Sequence, residues 1–272
     1  MANPIFANLP TTIFEEMSGL ARDLGAINLG QGFPDDPGPA AIRRKAAEEV
    51  LDGYNQYPPM AGLPELREAV ANHYRRTQGL DLDWAREVTI TSGATEALAA
   101  AFLGLIQPGD EVVVFQPFYD AYLPLIRRAG GVPRLVTLQP PHWRFDRAMM
   151  EAAFGPRTRF VVLNNPINPA GAVLPAEDLA LLAEACIAHD AVAICDEVWE
   201  QVIFDGASFG TAAPAGSDEE ADYLGIPGLL DASQMRDLLR QRQEQQLDRR
   251  SKVAAAGGVP APVTTHGQLR AL

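Results

Sequence analysis

The chain has 272 residues, of which 47 % are hydrophobic and 21 % charged, a composition typical of globular proteins. It carries 35 Asp and Glu against 22 Lys and Arg, which gives a net charge of −13. Because nucleic acids and anionic membranes select basic surfaces, we expect neither as a main partner.

The cysteine count and the apolar runs indicate the cellular setting. Two cysteines, Cys186 and Cys195, cannot form a disulfide framework, so we expect a reduced, cytoplasmic protein. No apolar run reaches the roughly 20 residues that cross a bilayer. The start of the chain, residues 1–6, lacks the basic-then-apolar order of a signal peptide.

From about residue 37 to 206, helical and strand patterns alternate. Apolar periodicity predicts helices at 39–51, 63–77, about 94–106 and 175–189. It also predicts a helix that includes Leu125 and Ala129. Runs rich in Val, Ile and Leu predict strands at 87–91, 111–115, 134–137, 160–163 and 191–195. Alternation of this kind is typical of an α/β fold in which helices cover both faces of a mostly parallel sheet.

The pattern changes after residue 206. Residues 207–216 have the composition of a linker, 231–250 predict a polar helix, and 253–272 are rich in Ala, Gly, Pro and Thr and are expected to be disordered. This tail has no run of β-branched residues long enough to predict a strand. We therefore divide the chain into an N-terminal arm (1–36), an α/β region (37–206) and a tail (207–272).

A small-residue turn, Ser92-Gly93-Ala94-Thr95, lies between a predicted strand and a predicted helix. Free N–H groups at the start of a helix, together with the helix dipole, suit a phosphate. A tight turn without a ligand is the alternative.

An acidic residue, Asp196, directly follows the strand at 191–195. Ligands of open α/β sheets bind at the carboxyl ends of the strands, where this carboxylate could hold a cationic ring nitrogen. A role as a helix N-cap is equally compatible with the sequence.

Two further polar or aromatic residues follow other strands. Asn168, in the loop 164–171, could offer its amide to a phenolic oxygen, although an ordinary loop with Asx turns is the alternative. Tyr119, after the strand at 111–115, could stack on a planar ring, although such an aromatic is more often part of the core.

These four features follow successive strands, and the sequence resembles the class I/II aminotransferases of fold type I, which use pyridoxal 5′-phosphate (PLP). Kynurenine, methionine and succinyl-diaminopimelate aminotransferases are the most similar groups. The resemblance covers about residues 4–206, the N-terminal half of the family. The motifs are Asn28-Leu-Gly-Gln-Gly-Phe-Pro-Asp35, Asn55-Gln-Tyr57, Gly62-Leu-Pro-Glu-Leu-Arg67, Thr91-Ser-Gly-Ala-Thr-Glu-Ala-Leu98, Asn168-Pro-Ala-Gly171 and Asp196-Glu-Val198.

The resemblance implies a three-layer PLP-binding large domain at 37–206, incomplete and followed by a short helical tail. It also implies a homodimer, amino acid and 2-oxo acid substrates, and no metal site. Its implied residue roles are phosphate binding by Gly93, Ala94 and Thr95, ring stacking by Tyr119, an O3′ contact from Asn168, and a ring-nitrogen contact from Asp196. Tyr57 would reach the partner subunit's cofactor, and Gly32 would line the substrate side.

Two departures from the family concern the chemistry. The family has Tyr three positions after the Asp, where this chain has Trp199, whose indole can donate a hydrogen bond but cannot act as a phenol. The family also needs a Schiff-base Lys in a Ser-x-Ser-Lys-type motif. Lys45 lies on an early helix with a charged face, and Lys252 has neither a strand pattern nor a downstream Arg after it, so no catalytic lysine is predicted.

Three interpretations remain open at this point. The first is a PLP-dependent aminotransferase that is inactive as this chain because the lysine is missing. The second is a non-enzymatic remnant that binds PLP non-covalently or pairs with a family partner. The third is an α/β domain for another phosphorylated ligand. Truncation, frame change and fusion are all compatible with the unrelated tail.

Overall fold

A computed structural model describes residues 3–7, 9–32, 37–204, 206 and 209, and the backbone of the strand at 223–226. Helices and strands alternate from residue 94 to residue 196. The helices are α1 (Pro4–Ala7), α2 (Ile13–Leu24), α3 (Ala40–Asp52), α4 (Pro64–Gln78), α5 (Trp84–Glu87), α6 (Ala94–Leu105), α7 (Tyr122–Arg128), α8 (Arg147–Ala153) and α9 (Ala176–His189). The strands are β1 (Glu111–Gln116), β2 (Val132–Thr137), β3 (Thr158–Asn164), β4 (Val192–Asp196) and β5 (Tyr223–Ile226).

The five strands form one sheet in the order β2-β1-β3-β4-β5, and every neighbouring pair is parallel. This confirms the predicted α/β fold with a mostly parallel sheet. Parallel strands bring their carboxyl ends to one edge. The residues that follow β1, β3 and β4 therefore lie at the same edge of the sheet.

Side chains of both sheet faces are buried. On one face, Val113 and Phe115 of β1 pack in a cluster with residues of α8 and α9. On the other face, Val112 and Val114 pack with residues of α6 and α7. Burial on both faces explains why the strands read as continuous apolar runs. Within the described ranges, no helix is both long enough and apolar enough to cross a membrane.

The strand predicted at residues 87–91 is wrong. Residues Trp84–Glu87 form the short helix α5, which starts where the Asp83 side chain accepts a hydrogen bond from the Ala85 N–H at 3.0 Å. Because this cap stabilises α5, Glu87, the first residue of the predicted strand, belongs to a helical turn. Val88 is extended, Ile90 is a single β-bridge residue, and residues 88–91 form no strand in the described part of the chain. The Ile90 backbone N–H donates to the Ala61 carbonyl at 2.9 Å.

The close approach of Ile90 to that loop depends on a glycine. Gly62 has a φ of +99°, and a Cβ at this position would lie 2.4 Å from Cγ1 of Ile90. A side chain at this position would therefore meet both backbone strain and a steric clash.

A strand also forms where none was predicted. β5 lies within the predicted tail and pairs with β4 from Ala193 to Asp196. Pairing uses backbone N–H and C=O groups, so a four-residue segment can join an open edge without a β-branched run. Apart from residue 209, the predicted linker at 207–216, the polar helix at 231–250 and the tail at 253–272 lie outside the described residues, and the proposed domain division stays a prediction.

Candidate functional site

The central residue of the sheet's carboxyl edge is Asp196, the last residue of β4, which is only 6 % exposed. The Tyr122 hydroxyl donates to its Oδ2 at 2.5 Å, and the Val198 N–H donates to its Oδ1 at 3.3 Å. Burial raises the pKa of Asp196, and the two hydrogen bonds partly oppose this rise. In the part of the chain that the structure describes, no basic side chain forms an ion pair with Asp196.

The Asp196 carboxylate can accept further hydrogen bonds. A carboxylate offers about four lone pairs, and Asp196 accepts two hydrogen bonds. A buried charge without a charged partner is costly, and a cationic N–H donor would offset that cost. Asp196 can therefore receive a protonated ring nitrogen.

The loop after β3 is tied to the end of β4. The Asn164 side-chain amide donates to the Asp196 carbonyl at 3.0 Å, and the Asn165 N–H donates to the same carbonyl at 3.1 Å. The Asn168 N–H donates to Oδ1 of Asn164 at 2.6 Å. These bonds place Asn168, which is half-buried, at the same edge as Asp196.

The aromatic candidate, Tyr119, is half-buried after β1. Its ring lies edge-to-face against the ring of Tyr122, with centroids 5.8 Å apart. Tyr122 in turn bonds to Asp196, so the structure connects Tyr119 to the carboxylate through one residue. A small depression next to them is lined by Pro117, Tyr122 and Asn164, among others.

The predicted phosphate turn lies at the start of α6. Gly93 is its N-cap residue, with a φ of +80°, and it has no side chain that could cap the helix. N–H groups of the first helical turn have no intrahelical acceptor, which leaves them available to an anion. A Cβ on Gly93 would meet nothing within 4 Å, so the approach to this turn is open. The Glu96 carboxylate accepts the Ser92 N–H beside it.

A buried arginine supports the segment that leads into this turn. Arg67 of α4 is 9 % exposed and donates to the Val88 carbonyl at 2.6 Å and to the Ala85 carbonyl at 2.8 Å. Its guanidinium also lies 5.5 Å from the ring centroid of Trp84. The motif that contains Arg67 therefore fixes the backbone ahead of Ser92.

Other candidates are not brought to this edge. Tyr57 is 94 % exposed, and Gly32 is exposed with no heavy atom within 4 Å of a built Cβ. Trp199, in contrast, lies in the turn that directly follows β4 at this edge, and it is half-buried there. Lys45 is exposed on α3 and pairs with Glu49 at 2.7 Å. Lys252 lies outside the described residues.

Sequence reasoning missed Tyr122 and Asn164, although both lie in segments that it considered. The pair Tyr119-x-x-Tyr122 was the available signal, because the turn in which the Tyr122 N–H donates to the Tyr119 carbonyl at 3.2 Å holds the two rings against each other. Asn164 was part of the loop motif, but its side-chain bond to a neighbouring strand depends on the strand order, which the sequence does not show.

Comparison with known proteins identifies the family. The family model for aminotransferases of class I and II matches residues 25–227. This chain belongs to that family. The match extends past residue 206 and includes β5, beyond the limit that the sequence motifs indicated.

Individual relatives agree with the family match. A methionine aminotransferase of Escherichia coli is 46 % identical over 196 residues, 72 % of this chain and 51 % of that protein. Human kynurenine–oxoglutarate transaminase 1 is 37 % identical, over 70 % of this chain and 48 % of its own length. The chain thus spans about half the length of these curated relatives.

The fold agrees with solved structures as well. The N-succinyldiaminopimelate aminotransferase of Mycobacterium tuberculosis superposes with a TM-score of 0.80 at 39 % identity, covering 89 % of this chain and 67 % of that one. Members of this family depend on PLP, and the residues at the carboxyl edge fit that group. Asp196 is a buried carboxylate that forms no ion pair with a described residue, and the α6 turn is open to a phosphate.

Proposed function

We propose that this chain carries the cofactor-binding part of an amino-acid aminotransferase, holds PLP without a covalent bond, and does not transfer amino groups by itself. The observation that carries the proposal is the buried Asp196 carboxylate at the carboxyl end of β4, bonded to Tyr122 and lacking a basic partner among the described residues. The named relatives act on amino acids, which supports an amino acid as donor and a 2-oxo acid as acceptor.

The residues of this edge take distinct roles. Gly93, Ala94 and Thr95 bind the phosphate at the start of α6, and Tyr119 stacks on the ring. Asn168 donates to the ring oxygen O3′, and Asp196 holds the ring nitrogen protonated. When bound, PLP supplies an electron-withdrawing ring that stabilises negative charge at the substrate Cα.

A second copy completes the site. Tyr57 reaches the phosphate bound by the partner subunit, and Gly32 lines the substrate side. The exposure of both residues supports this assignment, because the described residues leave both of them open to a second copy. The proposal thus includes a homodimer.

The proposed lack of amino-transfer activity rests on the positions of the two lysines of this chain. Lys45, on α3, is exposed and already pairs with Glu49. Lys252 lacks the sequence context of the family motif. Because neither lysine stands in the family motif, neither is assigned the covalent bond to PLP or the transfer of the substrate proton. A non-enzymatic role, as a PLP-holding remnant or a partner of another family member, is the alternative that this leaves.

Cofactor titration tests the site. Asp196→Ala should weaken PLP binding about 10-fold or more, because a hydrogen bond to a charged group contributes about 1.5–3 kcal/mol. Trp199→Phe removes at most a neutral bond of about 1 kcal/mol and should weaken binding about five-fold. Equal affinities of the two variants would contradict the assignment. Equal binding of inorganic phosphate by all three proteins, without PLP binding, would indicate a different phosphorylated ligand.

Reduction and turnover test the missing lysine. After borohydride treatment and denaturing gel filtration, PLP should separate from the chain. With PLP, an amino acid and 2-oxoglutarate, transamination should not exceed that of PLP alone. Turnover that disappears in Lys252→Ala would show that the tail supplies the catalytic lysine after all.

A further inference from the structure

A buried hydrogen bond links α7 to the end of β4. Tyr122 is 1 % exposed and Asp196 is 6 % exposed, and the phenol oxygen lies 2.5 Å from Oδ2 of the carboxylate. Tyr122 is held by the core cluster that includes Ile126, Val114 and Ile194. The donor is therefore fixed by packing before any ligand binds.

The two hydrogen bonds to the carboxylate fix its orientation. Tyr122 donates to Oδ2 from α7, and the Val198 N–H donates to Oδ1 from the turn after β4. With one donor on each oxygen, rotation of the carboxylate breaks at least one bond. A donor of this kind also favours the ionised form over the neutral one, against the effect of burial.

We propose that Tyr122 is a positioning residue that fixes the orientation and the charge of the Asp196 carboxylate for a cationic ring nitrogen. The inference rests on the proposed function for its ligand. The orientation and charge of the Asp196 carboxylate, however, can be measured in the chain without any cofactor.

The same residue couples the carboxylate to the stacking candidate. The ring of Tyr119 lies edge-to-face on Tyr122, so the phenol that bonds to Asp196 also supports the aromatic ring proposed to cover the cofactor. Tyr122, the first residue of α7, thereby orients both Asp196 and Tyr119, which would contact the cofactor ring from different directions.

Within the described ranges, few titratable groups lie around Asp196. Tyr122 faces it from α7, with Tyr119 behind it, and burial raises the pKa of Tyr122 well above its usual value, so the phenol stays a donor. The neighbours from β3, Asn164 and Asn165, do not titrate. Cys195 and Glu197 adjoin Asp196 on its own chain segment, and burial raises the pKa of Cys195.

The test replaces the phenol by a ring of the same shape. In Tyr122→Phe, the pH midpoint of the Asp196 carboxyl should rise by about one unit or more, because the ionised form loses its charge-assisted donor. The midpoint is measured by carbon NMR of aspartate labelled at the carboxyl carbon, in the full chain without PLP. The Asp196 resonance is assigned by its loss in Asp196→Asn.

Tyr74→Phe is the matched control. Tyr74 is also buried, at 3 % exposure, but its hydroxyl has no hydrogen-bond partner among the described residues. Its removal should leave the Asp196 midpoint unchanged. Near-ultraviolet circular dichroism checks that both variants keep the native packing.

Two outcomes separate this inference from the proposed function. An unchanged midpoint in Tyr122→Phe, or an equal rise in Tyr74→Phe, overturns the positioning role whether or not PLP binds. If the midpoint rises only in Tyr122→Phe but the chain does not bind PLP, the positioning of Asp196 stands and the proposed ligand fails. If PLP binds, the pH below which its affinity falls should rise in parallel in Tyr122→Phe.

Discussion

The sheet region from α6 to β4 and the N-terminal segment from α2 to α4 differ in how far their apolar side chains are buried. Phe102 and Phe160 in the sheet region are fully buried. In the N-terminal segment, Ile27, Leu29 and Met60 are 87 %, 90 % and 102 % exposed. The sheet region therefore supplies its own core, whereas the apolar side chains of the N-terminal segment are not covered by the described residues. The site residues divide in a similar way, because Tyr119, Asn168 and Asp196 of the sheet region lie at one edge of the sheet, whereas Gly32 and Tyr57 of the N-terminal segment are exposed.

The largest expected effect is in the sheet core. Phe160→Ala should lower the free energy of unfolding by about 3–5 kcal/mol, because it removes a fully buried ring between the sheet and α6. Urea unfolding followed by circular dichroism measures it. A loss below about 1 kcal/mol would show that the sheet region does not contain the stabilising core.

A smaller effect is expected at the join between the two regions. Arg67→Met should lower the free energy of unfolding by about 2–3 kcal/mol, because the buried Val88 carbonyl and the partly buried hydrogen bond at the Ala85 carbonyl lose their charged donor. Hydrogen exchange should become faster at residues 88–95. Arg76→Met, an exposed position on the same helix, is the control and should change stability by less than about 0.5 kcal/mol. Equal effects of the two variants would contradict the support assigned to Arg67.

The contribution of Asp196 to the free energy of unfolding depends on pH, and its pKa gives the direction of that dependence. Its pKa in the folded chain is raised by burial, so the folded state binds the proton more tightly than the unfolded state. The ionised group therefore reduces stability above its folded pKa, and this cost disappears as the pH falls through that pKa toward the unfolded value.

Asp196→Asn should consequently be more stable than the parent chain above the folded pKa of Asp196, with a difference that shrinks as the pH falls through that pKa, while PLP binding weakens. Urea unfolding over a series of pH values from neutral to acidic checks it, with the exposed Asp23→Asn as the control. A variant that is less stable than the parent above that pKa would show that the charge of Asp196 is satisfied within the chain.

The smallest effect is expected in the N-terminal segment. Met60→Ala should change the free energy of unfolding by less than about 0.5 kcal/mol in the monomer, because the side chain is fully exposed. A concentration-dependent loss of stability would instead show that a second copy covers this side chain.

The sequence predicted the elements of the sheet region well, because their apolar runs are buried on both faces. It was wrong at residues 87–91, where the Asp83 cap and the contact between Ile90 and Gly62 outweigh β propensity. It also missed β5, whose pairing uses the backbone edge of β4 and leaves little signal in the side chains.

For the site, the motifs selected Asp196, Asn168 and Tyr119, and the structure places all three at the carboxyl edge. Their roles toward a cofactor stay predictions. The bond from Tyr122 to Asp196 joins residues 74 positions apart, and only the packing of α7 against the sheet reveals it. Tyr57 and Gly32 are exposed in the single chain, and their proposed roles toward a second copy and the substrate stay predictions.

The central claim is that Asp196 holds a protonated PLP ring. Nitrogen NMR of the full chain with PLP labelled at the ring nitrogen measures this proton directly. We expect the signal of a protonated, hydrogen-bonded nitrogen at a pH at which free PLP has lost that proton, and its loss in Asp196→Asn. A ring nitrogen that titrates as in free PLP, in the parent chain as in the variant, would contradict the account.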